Sequence, residues 1–188
     1  MSETLDIAIQ AAKEAGAFLR EHFENTESLV VNEASQHDIK LELDVRSQTL
    51  ITEHLLGAFP DHALYGEEGL AGNQDSPWQW IVDPIDGTVN YFYGLPHYCV
   101  SIALRHEGVT QLGVIYDPST QELWTGERGK GAFLNGRKIS VSDRSVLKEA
   151  VITVGFSKTA AAMQEGLGRF SELASQVRKI RIMGSAAL

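Results

Sequence analysis

The sequence predicts a mixed α/β (α+β) protein, in which two N-terminal helices precede a run of antiparallel strands and then an alternation of strand and helix. Three observations carry this. Apolar residues recur at three- and four-residue steps near the N-terminus. Short β-branched and aromatic runs, separated by turn residues, fill the middle. After Ala150 a strand-like, a helix-like and a second strand-like segment follow one another.

Leu5, Ala8, Ile9, Ala12, Ala15, Leu19 and Phe23 form one stripe of an amphipathic helix, with Thr4 placed to cap it. A second helix is predicted over 45–58, with Asp44 at its N-cap; Phe59-Pro60-Asp61 ends it because proline cannot continue the hydrogen-bond ladder. Strands are predicted over 63–65, 78–83, 98–105, 110–116, 122–125 and 138–141. His106-Glu107-Gly108 and Asp117-Pro118-Ser119-Thr120 supply turns between them, which makes an antiparallel meander, and 69–76 reads as a loop. A strand over 150–154, a helix over 159–175 and a strand over 177–182 follow. The closing Gly184-Ser185-Ala186-Ala187-Leu188 reads as the first turn of another helix, since Ser is a good N-cap and Ala and Leu are good helix formers. The expected division is therefore an N-terminal α+β part over 1–150 that carries the site, and 151–188 as the start of a C-terminal α/β part whose remainder is missing.

Charge and composition narrow the function. The 188 residues contain 16 Lys+Arg against 25 Asp+Glu, for a net charge of −9, so no general field draws nucleic acid or an anionic membrane surface. The single cysteine, Cys99, cannot form an intrachain disulfide, and no Cys/His cluster has zinc spacing. The start of the chain lacks the basic flank and apolar run of a signal peptide, and no stretch approaches a membrane span. A cytoplasmic protein without nucleic-acid or membrane partners is expected.

The most informative stretch is Trp80-Ile81-Val82-Asp83-Pro84-Ile85-Asp86-Gly87-Thr88. A strand delivers Asp83 at its end, Pro84 breaks the ladder, and Asp86-Gly87-Thr88 turns the chain into a helix start. Two carboxylates three residues apart converge on such a bend, whereas a straight strand would point them to opposite faces. Converging anions require a cation, and an all-oxygen ligand set favours Mg²⁺ before Mn²⁺ or Ca²⁺. Beside it, the amides of Gly87 and Thr88 would seat a phosphate at the helix start. Upstream, Gly66-Glu67-Glu68-Gly69 follows a strand, so one glutamate is expected to bind metal and the other to support it or the attacking water. Asp38-Ile39-Lys40-Leu41-Glu42-Leu43-Asp44 places Asp44 before a helix. Singly, Asp44 reads as an N-cap, Glu67-Glu68 as a solvated turn and Asp-Pro-x-Asp-Gly as a tight turn; it is their combination that reads as a site. Elsewhere, Cys99 reads as a core thiol, His97 as structural or at the substrate rim, 126–131 as a glycine-rich turn, and Trp78 and Trp80 as core.

On these residues the sequence resembles the inositol monophosphatase family of Mg²⁺-dependent, lithium-sensitive phosphomonoesterases. The resemblance extends to Pro96-His97-Tyr98-Cys99-Val100-Ser101-Ile102, Gly113-Val114-Ile115-Tyr116-Asp117-Pro118, Gly129-Lys130-Gly131-Ala132-Phe133-Leu134-Asn135-Gly136 and Gly184-Ser185-Ala186-Ala187. It implies a layered α/β/α/β/α sandwich of the sugar-phosphatase type, homodimers, and a small phosphorylated polyol or sugar as substrate. It further implies that Glu67, Asp83 and the Ile85 carbonyl hold one Mg²⁺, that Asp83 and Asp86 hold a second, and that Glu67 reaches a third. Glu68 supports the ligands, Asp44 orients Thr88 and the pair helps activate water, the Gly87 and Thr88 amides hold phosphate, and Ala186 borders the sugar. Thr88-Val89-Asn90-Tyr91 resembles the form in members acting on inositol-1-phosphate. Hydrolysis of a 3′,5′-bisphosphate nucleotide, fructose-1,6-bisphosphate or histidinol phosphate is the alternative within the superfamily, and a non-catalytic metal- and anion-binding or protein-interaction module the alternative outside it. The sequence departs from the family at Lys40-Leu41, where many relatives carry an apolar residue and Thr, and by ending before a segment with a further Asp.

Overall fold

A computed structural model of the chain describes residues 2–23, 30–35, 38–155 and 160–188. Helix α1 (Glu3–Phe23) is followed by the hairpin β1 (Val31–Ser35) and β2 (Asp38–Leu41), helix α2 (Glu42–Ala58), and strands β3 (Ala63–Gly66), β4 (Gly69–Gly72) and β5 (Trp78–Asp86). A one-turn helix α3 (Thr88–Phe92) leads into β6 (Cys99–His106), β7 (Val109–Asp117), β8 (Glu122–Glu127), β9 (Gly131–Leu134) and β10 (Arg137–Ile139). The last elements are β11 (Val151–Thr153), α4 (Ala160–Ala174) and β12 (Lys179–Arg181).

Eight strands form one sheet in the order β10-β9-β8-β7-β6-β5-β3-β4. From β5 to β10 it is the expected antiparallel meander, while β3 lies parallel to β5, with β4 closing that edge. Strands β11 and β12 pair in parallel across α4, the only strand direction a helical crossover of this length makes natural. The main core forms where α1 and α2, packed on each other, cover one face of the sheet. The predicted α1 stripe is buried at Leu5, Ala8, Ala12, Ala15 and Leu19, and Ile9 and Phe23 pack partly buried at its margin. Gly16 lets α1 sit directly on β7: a Cβ there would stand 2.6 Å from the Tyr116 ring. In β5, Trp80 and Val82 face this core and Ile81 faces away, as strand alternation requires. Cys99 is buried and free, as expected of a core thiol.

Several boundaries differ from the sequence reading. Ser2 caps α1 instead of Thr4, its Oγ accepting the Leu5 N–H at 3.3 Å. Helix α2 starts at Glu42, three residues before the predicted start, and Asp44 is not its N-cap but reaches back from the third helical position to accept the Leu41 N–H at 2.7 Å; Leu41 itself has no side-chain acceptor to offer. Strand β5 does not stop at Asp83 but runs on to Asp86. Strand β4 occupies part of the expected loop 69–76, and β9 part of the expected glycine-rich turn, since cross-strand pairing overrides weak glycine propensity. The β1–β2 hairpin carries too many polar residues to have been read as strand. Helix α4 ends at Ala174 rather than Ser175, and the predicted start at Thr159 lies outside the described residues.

Candidate active site

The bend in β5 has a definite mechanism. Asp83 pairs with Ser101 of β6 and Asp86 with Cys99, so three steps along β5 are matched by two along β6. This is a β-bulge, and the extra residue cancels the odd spacing that would otherwise send the two carboxylates to opposite faces. Pro84 is tolerated because it sits in the bulge, just past the point where Gly66 pairs with Val82 at the end of β3. The next residue of that parallel edge is Glu67, whose N–H donates to the Val82 carbonyl at 3.1 Å, so it stands alongside Asp83.

Burial pushes the Asp83 carboxyl up to about 8, and the charges of Glu67 and Asp86 and a hydrogen bond with Glu67 add to the effect. Asp44 is raised to about 7, chiefly by burial against the opposing pull of the Leu41 amide, with Glu68 and Glu67 contributing repulsion. The charges acting on both are carboxylates. Each acid binds its proton more tightly in the folded chain than in the unfolded one, where about 3.9 applies. Between about pH 4 and pH 8 the folded state therefore holds more protons, and stability declines as pH rises through that window. Thermal melts of the chelator-treated chain are expected to give a lower Tm at about pH 8 than at about pH 5; the reverse order would contradict the repulsive cluster.

The Thr88 hydroxyl lies 2.9 Å from the Ile85 carbonyl and 3.3 Å from Asp44 Oδ1, so Asp44 on α2 and Thr88 on α3 meet, as the family resemblance implies. Gly87 caps α3 with φ of +99°, a left-handed conformation that glycine adopts without strain. A side chain there would also approach the His97 carbonyl to 3.0 Å. The first amides of α3 have no acceptor within the helix.

Asp86 is held differently from its neighbours. Its Oδ1 accepts the Ala186 N–H at 2.9 Å; its Oδ2 accepts the Ala187 N–H at 2.6 Å and the Ser185 hydroxyl at 2.5 Å, with Cys99 Sγ 3.7 Å away. Asn90 secures the same segment: its Nδ2 donates to the carbonyls of Met183 and His97, both at 2.8 Å. Ala186 thus meets Asp86 through its backbone. Among the described residues no three His, Cys, Asp or Glu side chains gather as a ready-made metal cage. The Glu67–Asp83 pair is nevertheless the kind of donor set a hard cation fits, with the exposed Glu67 carboxyl set against the half-buried Asp83 carboxyl and the Ile85 carbonyl nearby. A cavity of about 460 Å³, lined by His97, Asp117, Glu122, Trp124 and Leu188 among others, includes none of Asp44, Glu67, Asp83 and Asp86 and adjoins the site through Ala187, whose N–H bonds Asp86. His97 Nε2 is buried with no hydrogen-bond partner among the described residues.

Comparison with known proteins places the chain among the phosphatases that hydrolyse phosphate monoesters. A family model described as the inositol monophosphatase family matches residues 1–188, and the chain belongs to that family. It is 41% identical over 195 residues to inositol monophosphatase 3 of Solanum lycopersicum, covering 100% of this chain and 72% of the relative. It is 38% identical over 190 residues to a protein named Nus factor SuhB from Pasteurella multocida, covering 100% and 71%. The crystal structure of the extragenic suppressor protein SuhB from Bartonella henselae superposes with a TM-score of 0.93 at 35% identity, over 99% of this chain and 72% of that one. The fold is accordingly that of the α/β sandwich of these phosphatases.

Two polar residues around the site, Ser47 and Gln48, were not anticipated, nor was the part Asn90 plays in holding the segment at Met183. For the first two a signal existed, because Ser47 interrupts the apolar stripe Leu43, Ile51 and Leu55 and Gln48 lies one turn beyond Asp44. A polar residue on the core face of a helix needs a buried partner. Ser47 Oγ meets the Pro84 carbonyl at 3.3 Å, and Gln48 meets the turn that carries Glu67.

Proposed function

We propose that this protein is a Mg²⁺-dependent phosphatase of a small polyol or sugar phosphate, with inositol-1-phosphate as its preferred substrate. The observation that carries the reading is Asp83, set against Glu67 and near Asp44: burial and the charge of neighbouring carboxylates raise the Asp83 and Asp44 carboxyls far above their ordinary range. Glu67, Asp83 and the Ile85 carbonyl would hold the cation, with Asp86 completing a second position. When bound, the divalent ion supplies Lewis-acid charge to the phosphoryl oxygens and makes water a better nucleophile near neutral pH. Thr88 orients the attacking water and takes its proton at Oγ1 while giving its own to Asp44 Oδ1. The Leu41 N–H holds the other oxygen of Asp44 in place. The Gly87 and Thr88 amides hold the phosphate, and Glu68 supports Glu67 from the neighbouring position. Bond making and breaking occur in line at phosphorus, with no covalent phosphoenzyme.

The same reading takes residues 1–150 as the site-bearing part, with 151–188 opening the next, and the protein as a lithium-sensitive cytoplasmic homodimer without nucleic-acid or membrane partners. No described helix is long and apolar enough to cross a membrane. The relatives named Nus factor SuhB carry a name that is not an enzyme's, which keeps an interaction role as the second reading. Phosphate release measured with and without Mg²⁺ separates the two. The panel is inositol-1-phosphate, fructose-1,6-bisphosphate, adenosine 3′,5′-bisphosphate and histidinol phosphate. Mg²⁺-stimulated release, fastest from inositol-1-phosphate, is the expected result; metal binding with no release from any of them would favour the interaction role.

A further inference from the structure

Three two-residue hairpin loops occur in the main sheet, and one is unlike the others. Glu107-Gly108 joins β6 to β7 with φ of 49° and 79°, and Asn135-Gly136 joins β9 to β10 with 48° and 78°. Both follow the left-handed geometry that matches strand twist. Glu67-Glu68 joins β3 to β4 with neither residue at positive φ, a conformation that tends to splay the strands it connects. The positive φ falls instead on Gly69, at +139°, and a contact from outside the hairpin helps to hold it closed.

Gln48 makes that contact. Its Oε1 accepts the Glu68 N–H at 2.8 Å and its Nε2 donates to the Gly69 carbonyl at 3.1 Å, so one side-chain amide bridges the turn as a neighbouring strand would. Gly66 makes room for it, since a Cβ there would lie 2.0 Å from Gln48 Oε1. Gln48 is buried and sits one helical turn from Asp44 on the same face of α2. One helix face thus fixes both Asp44 and the turn bearing Glu67.

We propose that Gln48 is a positioning residue for metal binding: through the Glu68 amide and the Gly69 carbonyl it holds Glu67 against Asp83 in the orientation a divalent cation needs. The inference rests on the proposed reading of Glu67 and Asp83 as ligands. Residues that orient metal ligands from one layer out typically change metal affinity by about 10- to 100-fold when removed. Gln48→Met keeps the length and helix propensity of the side chain and removes both hydrogen bonds. Gly66→Ala attacks the same contact from the turn side, so the double variant should be little worse than either single one.

The test uses the full chain, with Mn²⁺ as the probe, titrated by electron paramagnetic resonance, and amide hydrogen exchange at Glu68 in the chelator-treated protein. In both variants the Glu68 amide is expected to exchange faster while the amides of α1 keep their protection, and Mn²⁺ affinity is expected to fall about tenfold. Unchanged Glu68 exchange, or Mn²⁺ affinity within about twofold of the parent, would overturn the positioning role. A parent protein that binds no Mn²⁺ would overturn the ligand reading first and this inference with it. Should Gln48→Met fail to fold, Gly66→Ala supplies the same readings.

Discussion

Asp83→Asn is expected to abolish Mg²⁺-dependent phosphate release while making the metal-free protein more heat-stable near pH 8. Asparagine retains an oxygen for the Ile85 N–H, which Asp83 Oδ1 accepts at 3.2 Å, and its NH₂ can donate to Glu67, whose charge acts against the Asp83 carboxylate. The fold thus exchanges a repelled, partly buried acid for a neutral amide. Because the wild-type carboxyl titrates at about 8 when folded, its burden grows from about pH 4 to pH 8, and so should the advantage of the variant. Removal of a ligand and a full negative charge from the cation's seat should lower kcat/KM by on the order of 10³ or more. Melts in chelator across this pH range, together with phosphate release in Mg²⁺, check both halves. A variant that is less stable than the parent at pH 8, or as active, would refute the account of Asp83.

The second large effect is expected at Asp86. Asp86→Asn should lower turnover by orders of magnitude with little loss of global folding, and the local consequence is specific. Three donors, two backbone N–H groups and the Ser185 hydroxyl, converge on the two oxygens of Asp86. An amide offers one oxygen and presents its own donors on the other side, so at least one of them faces a donor and loses its partner. The Ala186 and Ala187 amides should exchange with solvent far faster in the variant, while Trp80 and Val82 in the core keep their protection. Exchange at Ala186 and Ala187 equal to that of the parent would show that Asp86 does not hold the segment, and wild-type activity in Mg²⁺ would remove it from the reaction.

These two aspartates also mark how far the sequence could be read. That Asp83 and Asp86 would be brought to one side of a bend followed from their odd spacing and from Pro84; that the bend is a β-bulge within an unbroken strand depended on the partner strand, where Ser101 and Cys99 set the register. The meeting of Asp44 with Thr88 was expected from the family resemblance, across 44 residues of chain, and the structure brings them to 3.3 Å. The grip of the 185–187 backbone on Asp86 was not legible, since the contacts span about a hundred residues and involve amides that every residue possesses. Gln48 was legible only as an oddity, because polarity on a buried helix face announces that a partner exists without saying which.

Local chemistry, then, determined the helices, the order of the meander and the acid-rich bends, because periodicity, turn residues and the constraints of proline and glycine act within a few residues of themselves. Tertiary structure alone decided the parallel placement of β3 beside β5, the non-left-handed Glu67-Glu68 turn and the partners of Asp86, because each is a balance between segments distant in the chain. Burial is the common reason. A carboxyl becomes reluctant to ionise, and a helix glutamine becomes a brace for a turn, only when the rest of the fold has removed water from around it.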